Sequence, residues 1–253
     1  MSKMEQLVAL VQRLDSGEDP AGVEREAQQL LASMDPSELS RTEQELIRAG
    51  LPAEALGRLC PVHMRMLQGQ GEQLRAELPA GHVLHTMVAE HDAILEFLDR
   101  LRQTNEAIQK MDAYDGTRPE FAALGELAEH LLGAEAHHQR EEQVLFPAIE
   151  ARGVSGPPQV MRMEHEQMRE RKQELKTLAD NVGNMDFAAF KERLGQAVEF
   201  LVPVLGDHIA KENNILYPAA KQVIGEQEWD GLRQQCDQIG YCCFTPGESG
   251  DSR

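Results

Sequence analysis

Two stretches of the sequence carry the same chemistry in the same order. His137 and Glu141 stand four residues apart, and Leu-Phe-Pro147 closes their stretch. His208 and Glu212 repeat that spacing, and Leu-Tyr-Pro218 closes theirs. Each histidine precedes its proline by ten residues. Upstream, Glu90-His91 is matched by Glu164-His165, with His91 lying 46 residues before His137 and His165 lying 43 before His208. The chain is therefore duplicated: each half offers one histidine, then a His-x-x-x-Glu pair.

On a helix, positions i and i+4 differ by about 40° around the axis and about 6 Å along it, so an imidazole and a carboxylate at that spacing project together. Two such halves facing each other supply four imidazoles and two carboxylates to one place. A carboxylate has two oxygens and can bridge two ions, whereas each imidazole serves one. This nitrogen and oxygen set suits iron, manganese or zinc better than copper(I) or an iron–sulfur cluster. A lone helical histidine is ordinarily a surface or core residue. Two matched pairs, each preceded by a matched histidine, are poorly explained that way.

The elements that must position these groups are helical. Four long periodic segments cover roughly 83–111, 119–151, 157–181 and 187–223, with short turn-rich connections at Asp115-Gly116-Thr117, Gly153 to Pro158 and Asn181 to Asn184. Short connections make successive helices antiparallel neighbours, which predicts an up-down-up-down four-helix bundle. Before it, Leu7, Leu10, Val11 and Leu14 share a helical face, and a second helix fits Gly22 to Ser33. Asp35-Pro36 opens a third helix that ends near Gly50, and a fourth runs from about Pro52 towards Leu78. Pro79-Ala80-Gly81 is the clearest boundary. The expected organisation is all-α: a small helical domain over 1–80, the bundle over 81–224, and over 225–253 a short helix, about 226–238, with a cysteine-bearing, partly disordered tail.

Composition agrees. Aromatic residues make up 4% of the 253 and β-branched residues are sparse, which favours helix. A formal net charge of −18 argues against nucleic acid, whose phosphates need Lys and Arg opposite them, and against anionic membrane surfaces. The plain reading of that charge is a solvated acidic surface. No basic, apolar, small-residue pattern opens the chain, and no run approaches the ~20 apolar residues of a membrane span. Four cysteines, Cys60, Cys236, Cys242 and Cys243, are too few and too unevenly placed for a disulfide framework. The expectation is a reduced, cytoplasmic protein.

At these motifs the sequence resembles the haemerythrin-like HHE cation-binding family, over about 82–224. The resemblance implies a non-haem centre of two iron ions, with manganese or zinc as alternatives. His91 and His137 would bind one ion, His165 and His208 the other, and Glu141 and Glu212 would bridge them. Oxygen-carrying members also have a histidine four residues before the third-helix ligand, where this chain has Met161. That departure points away from simple oxygen carriage and towards the family's stress-related members, including proteins similar to those that repair iron–sulfur centres. The implied functions are reaction with, or sensing of, dioxygen, peroxide or nitric oxide; iron storage or delivery for cluster repair, or reversible oxygen binding, is the alternative. Gly50 to His63 and Gly81 to Met87 resemble a helical domain of uncharacterised function that often precedes such bundles, a candidate surface for a protein partner.

Other residues leave alternatives open. Cys60 with His63 and His82 with His85 are i, i+3 pairs that could form an auxiliary ligand cluster, or be an ordinary thiol and ordinary histidines. His130, seven residues before His137, could be a donor to a ligand, an extra ligand or a core histidine. His138 and Glu142 adjoin the expected ligands but have Ile209 and Asn213 as counterparts, which places them outside the direct ligand set; Glu142 could hydrogen-bond a ligand.

Overall fold

A computed structural model describes residues 5–6, 9–10, 13, 20–31 and 70–246, and no strand occurs among them. Helix α1 (Pro20–Leu31) takes the place of the helix expected from Gly22 to Ser33. The helix expected from Asp35 and most of the one expected from Pro52 lie outside the described residues, as do Cys60 and His63. Helix α2 (Gln70–Glu77) falls at the end of that last segment.

Four antiparallel rods follow. The first is α3 (Val83–Gln109), capped by His82, whose Nδ1 accepts from the Leu84 amide at 3.2 Å. The second is built from α4 (Pro119–Gly133), α5 (Glu135–Arg140), a π-helical turn (Glu141–Leu145) and α6 (Phe146–Glu150). The third is α7 (Gly156–Asn181). The fourth runs through α8 (Phe187–Lys211), capped by Asp186, a second π-helical turn (Glu212–Leu216) and α9 (Tyr217–Val223). Helix α10 (Trp229–Ile239) then packs back on the bundle.

The π turns lie just before two prolines. Pro147 and Pro218 have no N–H to donate and would crowd the carbonyl one turn back, which favours a local widening, although Pro203 is carried inside α8 without one. Beside Pro147 and Pro218 the rods widen: the Phe146 amide donates to the Glu141 carbonyl and the Tyr217 amide to that of Glu212, five residues back. Both wide turns begin at the repeated carboxylate.

The core comes in two parts. One cluster gathers Ile94, Leu101, Leu124, Leu131, Met168 and Leu201. The other gathers Leu84, Met87, Leu145, Met161, Leu216 and Trp229. In every rod the repeated polar residues fall between the two, so a buried polar layer is enclosed by apolar layers on both sides. Such a layer is costly unless its charges are compensated within it.

Candidate metal centre

The layer holds His91, His137, His165, His208, Glu141 and Glu212, all 1% exposed or less. The Nε2 atoms of His91 and His137 are 3.0 Å apart, and so are those of His165 and His208. Glu212 spans the two pairs: Oε2 lies 3.2 Å from His91 Nε2, while Oε1 lies 2.8 Å from His208 Nε2 and 3.6 Å from His165 Nε2. Glu141 Oε2 likewise lies 3.7 Å from His137 Nε2 and 3.4 Å from His165 Nε2. The structure thus brings together all six residues that the repeat singles out.

The opposite edge of every imidazole is occupied. His137 Nδ1 is 2.6 Å from Glu90 Oε2, and His208 Nδ1 is 2.7 Å from Glu164 Oε2. His165 Nδ1 is 2.7 Å from Glu142 Oε1, and His91 Nδ1 is 2.7 Å from Asn213 Oδ1. These oxygens accept, so each Nδ1 donates outward and each Nε2 faces inward, free to offer its lone pair to an ion that displaces any proton there. The pattern obeys the duplication. The glutamate before each first histidine serves the second histidine of its own half, and the residue after each bridging carboxylate serves the other half. Cations at the same offset complete it: Arg140 Nη2 contacts both oxygens of Glu90 at 2.7 Å, and Lys211 pairs with Glu164.

These residues fit two cations. Glu141 Oε2 and Glu212 Oε1 are buried without a hydrogen-bond partner beside ring nitrogens paired at 3.0 Å, so the layer gathers more acceptors than it has donors. Donors about 2.1 Å from a common ion and near a right angle to each other stand about 3 Å apart, which is the spacing found. Burial opposes charge on His165, but Glu141, Glu142 and Glu212 outweigh it and raise its pKa to about 11. His91 and His208 are raised in the same way, chiefly against burial and by Glu212. The layer is short of positive charge.

His138 also has nitrogen atoms near those of His165 and His208. Its ring, however, stacks on that of His165 at 3.9 Å and 8°. An ion in the plane of His165 would lie well out of the plane of His138, where imidazole has no lone pair. His138 therefore stands outside the ligand set; its buried Nδ1 makes no hydrogen bond and lies 3.7 Å from Glu135 Oε2. Lys172 nearby is equally unpartnered, and burial is the main cause that lowers its pKa to about 8.

The remaining candidates lie elsewhere. His130 stacks on Phe97 at 4.6 Å, with Cys243 Sγ 3.5 Å from its Nδ1. Seven residues are about 10 Å of helix, enough to carry it out of the polar layer. His82 spends Nδ1 on its helix cap and sits 4.5 Å from the Trp229 ring; burial lowers its pKa to about 4. His85 is half-buried on the same helix. Cys236 and Cys242 are buried free thiols, which burial pushes up to about 11 and about 12, while Cys243 is exposed. Among the described residues no helix is long and apolar enough to cross a membrane.

Four contributors carried no local signal of this role: Glu90, Glu164, Asn213 and Tyr217. The Tyr217 hydroxyl donates to Glu141 Oε1 at 2.7 Å and lies 3.2 Å and 3.5 Å from the Nε2 atoms of His137 and His91. The only hint was the duplication itself, which repeats Glu-His and Leu-aromatic-Pro in both halves.

A sequence model described as the hemerythrin HHE cation binding domain matches residues 82–220. Another, a family of unknown function (DUF438), matches residues 7–73. The iron-sulfur cluster repair protein YtfE of Enterobacter sp. (strain 638) is 31% identical over 142 residues, which are 54% of this chain and 63% of that protein. The protein of that name from Yersinia pseudotuberculosis serotype IB (strain PB1/+) is 33% identical over 135 residues, 51% of this chain and 60% of its own. The chain thus spans less than two thirds of the length of these curated relatives.

Proposed function

The chain belongs to the hemerythrin HHE cation-binding family, and on that footing we propose that it is a non-haem di-iron protein that works in the repair of iron–sulfur clusters under oxidative or nitrosative stress. The observation that carries the reading is the convergence of four Nε2 atoms and two carboxylates in a buried layer, with every Nδ1 tied outward. The relatives named for cluster repair support the setting.

His91 and His137 would hold one iron, His165 and His208 the other, with Glu141 and Glu212 reaching both. When bound, the irons supply a centre that changes between ferrous and ferric and offers a vacant position to a small ligand such as dioxygen, peroxide or nitric oxide. Glu90, Glu142, Glu164 and Asn213 fix the tautomer and aim of the imidazoles. Tyr217 holds a hydroxyl proton on Glu141 Oε1 beside two of them. The apolar layers keep bulk water out. Met161, 3% exposed among apolar neighbours, supplies no nitrogen where oxygen carriers supply one, which favours repair over reversible carriage.

The test is functional rescue. An iron–sulfur dehydratase inactivated by nitric oxide should regain activity with the iron-loaded chain, and much less with Glu141→Ala or Glu212→Ala. Equal recovery with the same concentration of free ferrous iron would remove the proposed role.

A further inference from the structure

The duplication makes two equal halves, but what the chain adds to them is one-sided. On the His91/His137 half, α2 lies against the residue that orients His91: a Cβ added at Gly71 would come 2.8 Å from Asn213 Cβ. The segment after α10 closes over the residue that orients His137. Gly240, at φ 94°, turns the chain back, so that Tyr241 lies 4.7 Å from the Arg140 guanidinium and Cys242 Sγ lies 3.8 Å from Arg140 Nη2. Thr245 then donates to Glu90 Oε1. Glu90 and Arg140 are thereby sealed, at 0% and 1% exposure.

The same half also has the one phenol of the layer. Tyr217 stacks on His91 at 5.5 Å and ties one oxygen of Glu141, whereas its counterpart in the other half is Phe146, which has no hydroxyl. Around His165 and His208 the corresponding outer residues meet solvent: the side chains of Glu142, Glu164 and Lys211 are 22%, 22% and 19% exposed. Both histidines themselves are as buried as their partners. The difference lies entirely in what supports them.

We propose that the two metal positions have separate roles: the ion between His91 and His137 is retained, and the ion between His165 and His208 is the one that exchanges. This rests on the two-ion reading above and names the cargo position within it. The exchanged species is one divalent ion passing to competing ligands without change of oxidation state; water supplies protons to the nitrogen lone pairs it leaves. Asn213 under α2 is half-buried, but the Glu90–Arg140 pair behind His137 is sealed while Glu142, Glu164 and Lys211 all meet solvent. Outer-sphere partners command about 10–100-fold in metal affinity, enough for that difference to separate the two rates.

The experiment follows ferrous iron leaving the full chain. Protein equilibrated anaerobically with excess ferrous iron, then desalted, is mixed with a chromogenic ferrous chelator in a stopped-flow instrument. Two phases of one iron each are expected, differing by roughly tenfold or more. Thr245→Val, nearly isosteric and in contact with Glu90 among the supporting residues, should speed the slow phase several-fold and leave the fast phase unchanged. Lys211→Gln should alter only the fast phase. Two irons released in a single phase, or a fast phase that responds to Thr245→Val, would overturn the assignment. An iron content far below two during equilibration would instead overturn the two-ion reading itself.

Discussion

Glu142 Oε1 lies 2.7 Å from His165 Nδ1, so the residue after one half's bridging carboxylate orients an imidazole of the other half. Asn213 returns the relationship to His91. The two hairpins are therefore interlocked through their outer partners as well as through Glu141 and Glu212. Glu142 is itself held by Arg169 at 2.8 Å, and burial is outweighed by His165 and Arg169 in lowering its pKa.

A graded loss of metal follows from that arrangement. Glu142→Ala should weaken binding by about 10–100-fold, the scale of an outer partner, whereas Glu141→Ala and Glu212→Ala should lose metal at both positions. Competition with a chelator of known affinity measures this. Equal losses from all three substitutions would mean that the inner face has been misassigned.

The buried Lys172 gives a prediction about pH in the metal-free protein. Its folded pKa is about 8 against 10.5 when exposed, so between those values the unfolded chain holds the extra proton and stability rises with pH. Lys172→Met should therefore stabilise the fold by about 2–3 kcal/mol at pH 7, with the gain shrinking to nothing as pH climbs from 8 to 10.5. Urea unfolding at several pH values reads it out. A gain that grows with pH would contradict the burial of an unpartnered ammonium.

Glu90 runs the other way. Burial opposes its charge, yet His137, Arg140 and Thr245 hold its pKa down at about 2. Its contribution is complete above 4.5 and is lost as pH falls through about 2. Glu90→Gln leaves Arg140 buried and unpaired, and should cost about 3–5 kcal/mol at pH 7. Acid titration of stability should show the wild type and the variant converging towards pH 2. Parallel curves would show that the ion pair is not what Glu90 contributes.

Gly71 tests the seating of α2. An alanine there gains about 1 kcal/mol of helix propensity but collides with Asn213 Cβ, and overpacking typically costs about 1–3 kcal/mol. Gly71→Ala should therefore lower thermal stability and weaken the hold on His91. A higher melting temperature with unchanged metal retention would show that α2 does not press on Asn213.

The inner site was legible in the residues because its signal is local. His-x-x-x-Glu falls on one helical face, and the duplication repeats it with matched prolines, so neither the bundle nor the converging groups required knowledge of long-range contacts. Of the supporting layer only Glu142, next to a bridging carboxylate, was legible as a hydrogen-bond partner of a ligand. The rest was not, because it is made of contacts between distant residues. Thr245 and Glu90 are 155 positions apart, and Tyr217 and Glu141 are 76 apart. Nothing in their neighbourhoods marks one as the partner of the other. The π turns lie between these cases: Pro147 and Pro218 announce a disturbance, but only the backbone shows that it is absorbed by widening at the carboxylates.

The central claim is that this layer holds two ions, and elemental analysis of the full chain loaded anaerobically with ferrous iron tests it most directly. The account predicts about two irons per chain for the wild type, and close to none when Glu141→Ala and Glu212→Ala are combined. A wild type that binds essentially no iron, or a double variant that binds as much as the wild type, would contradict it.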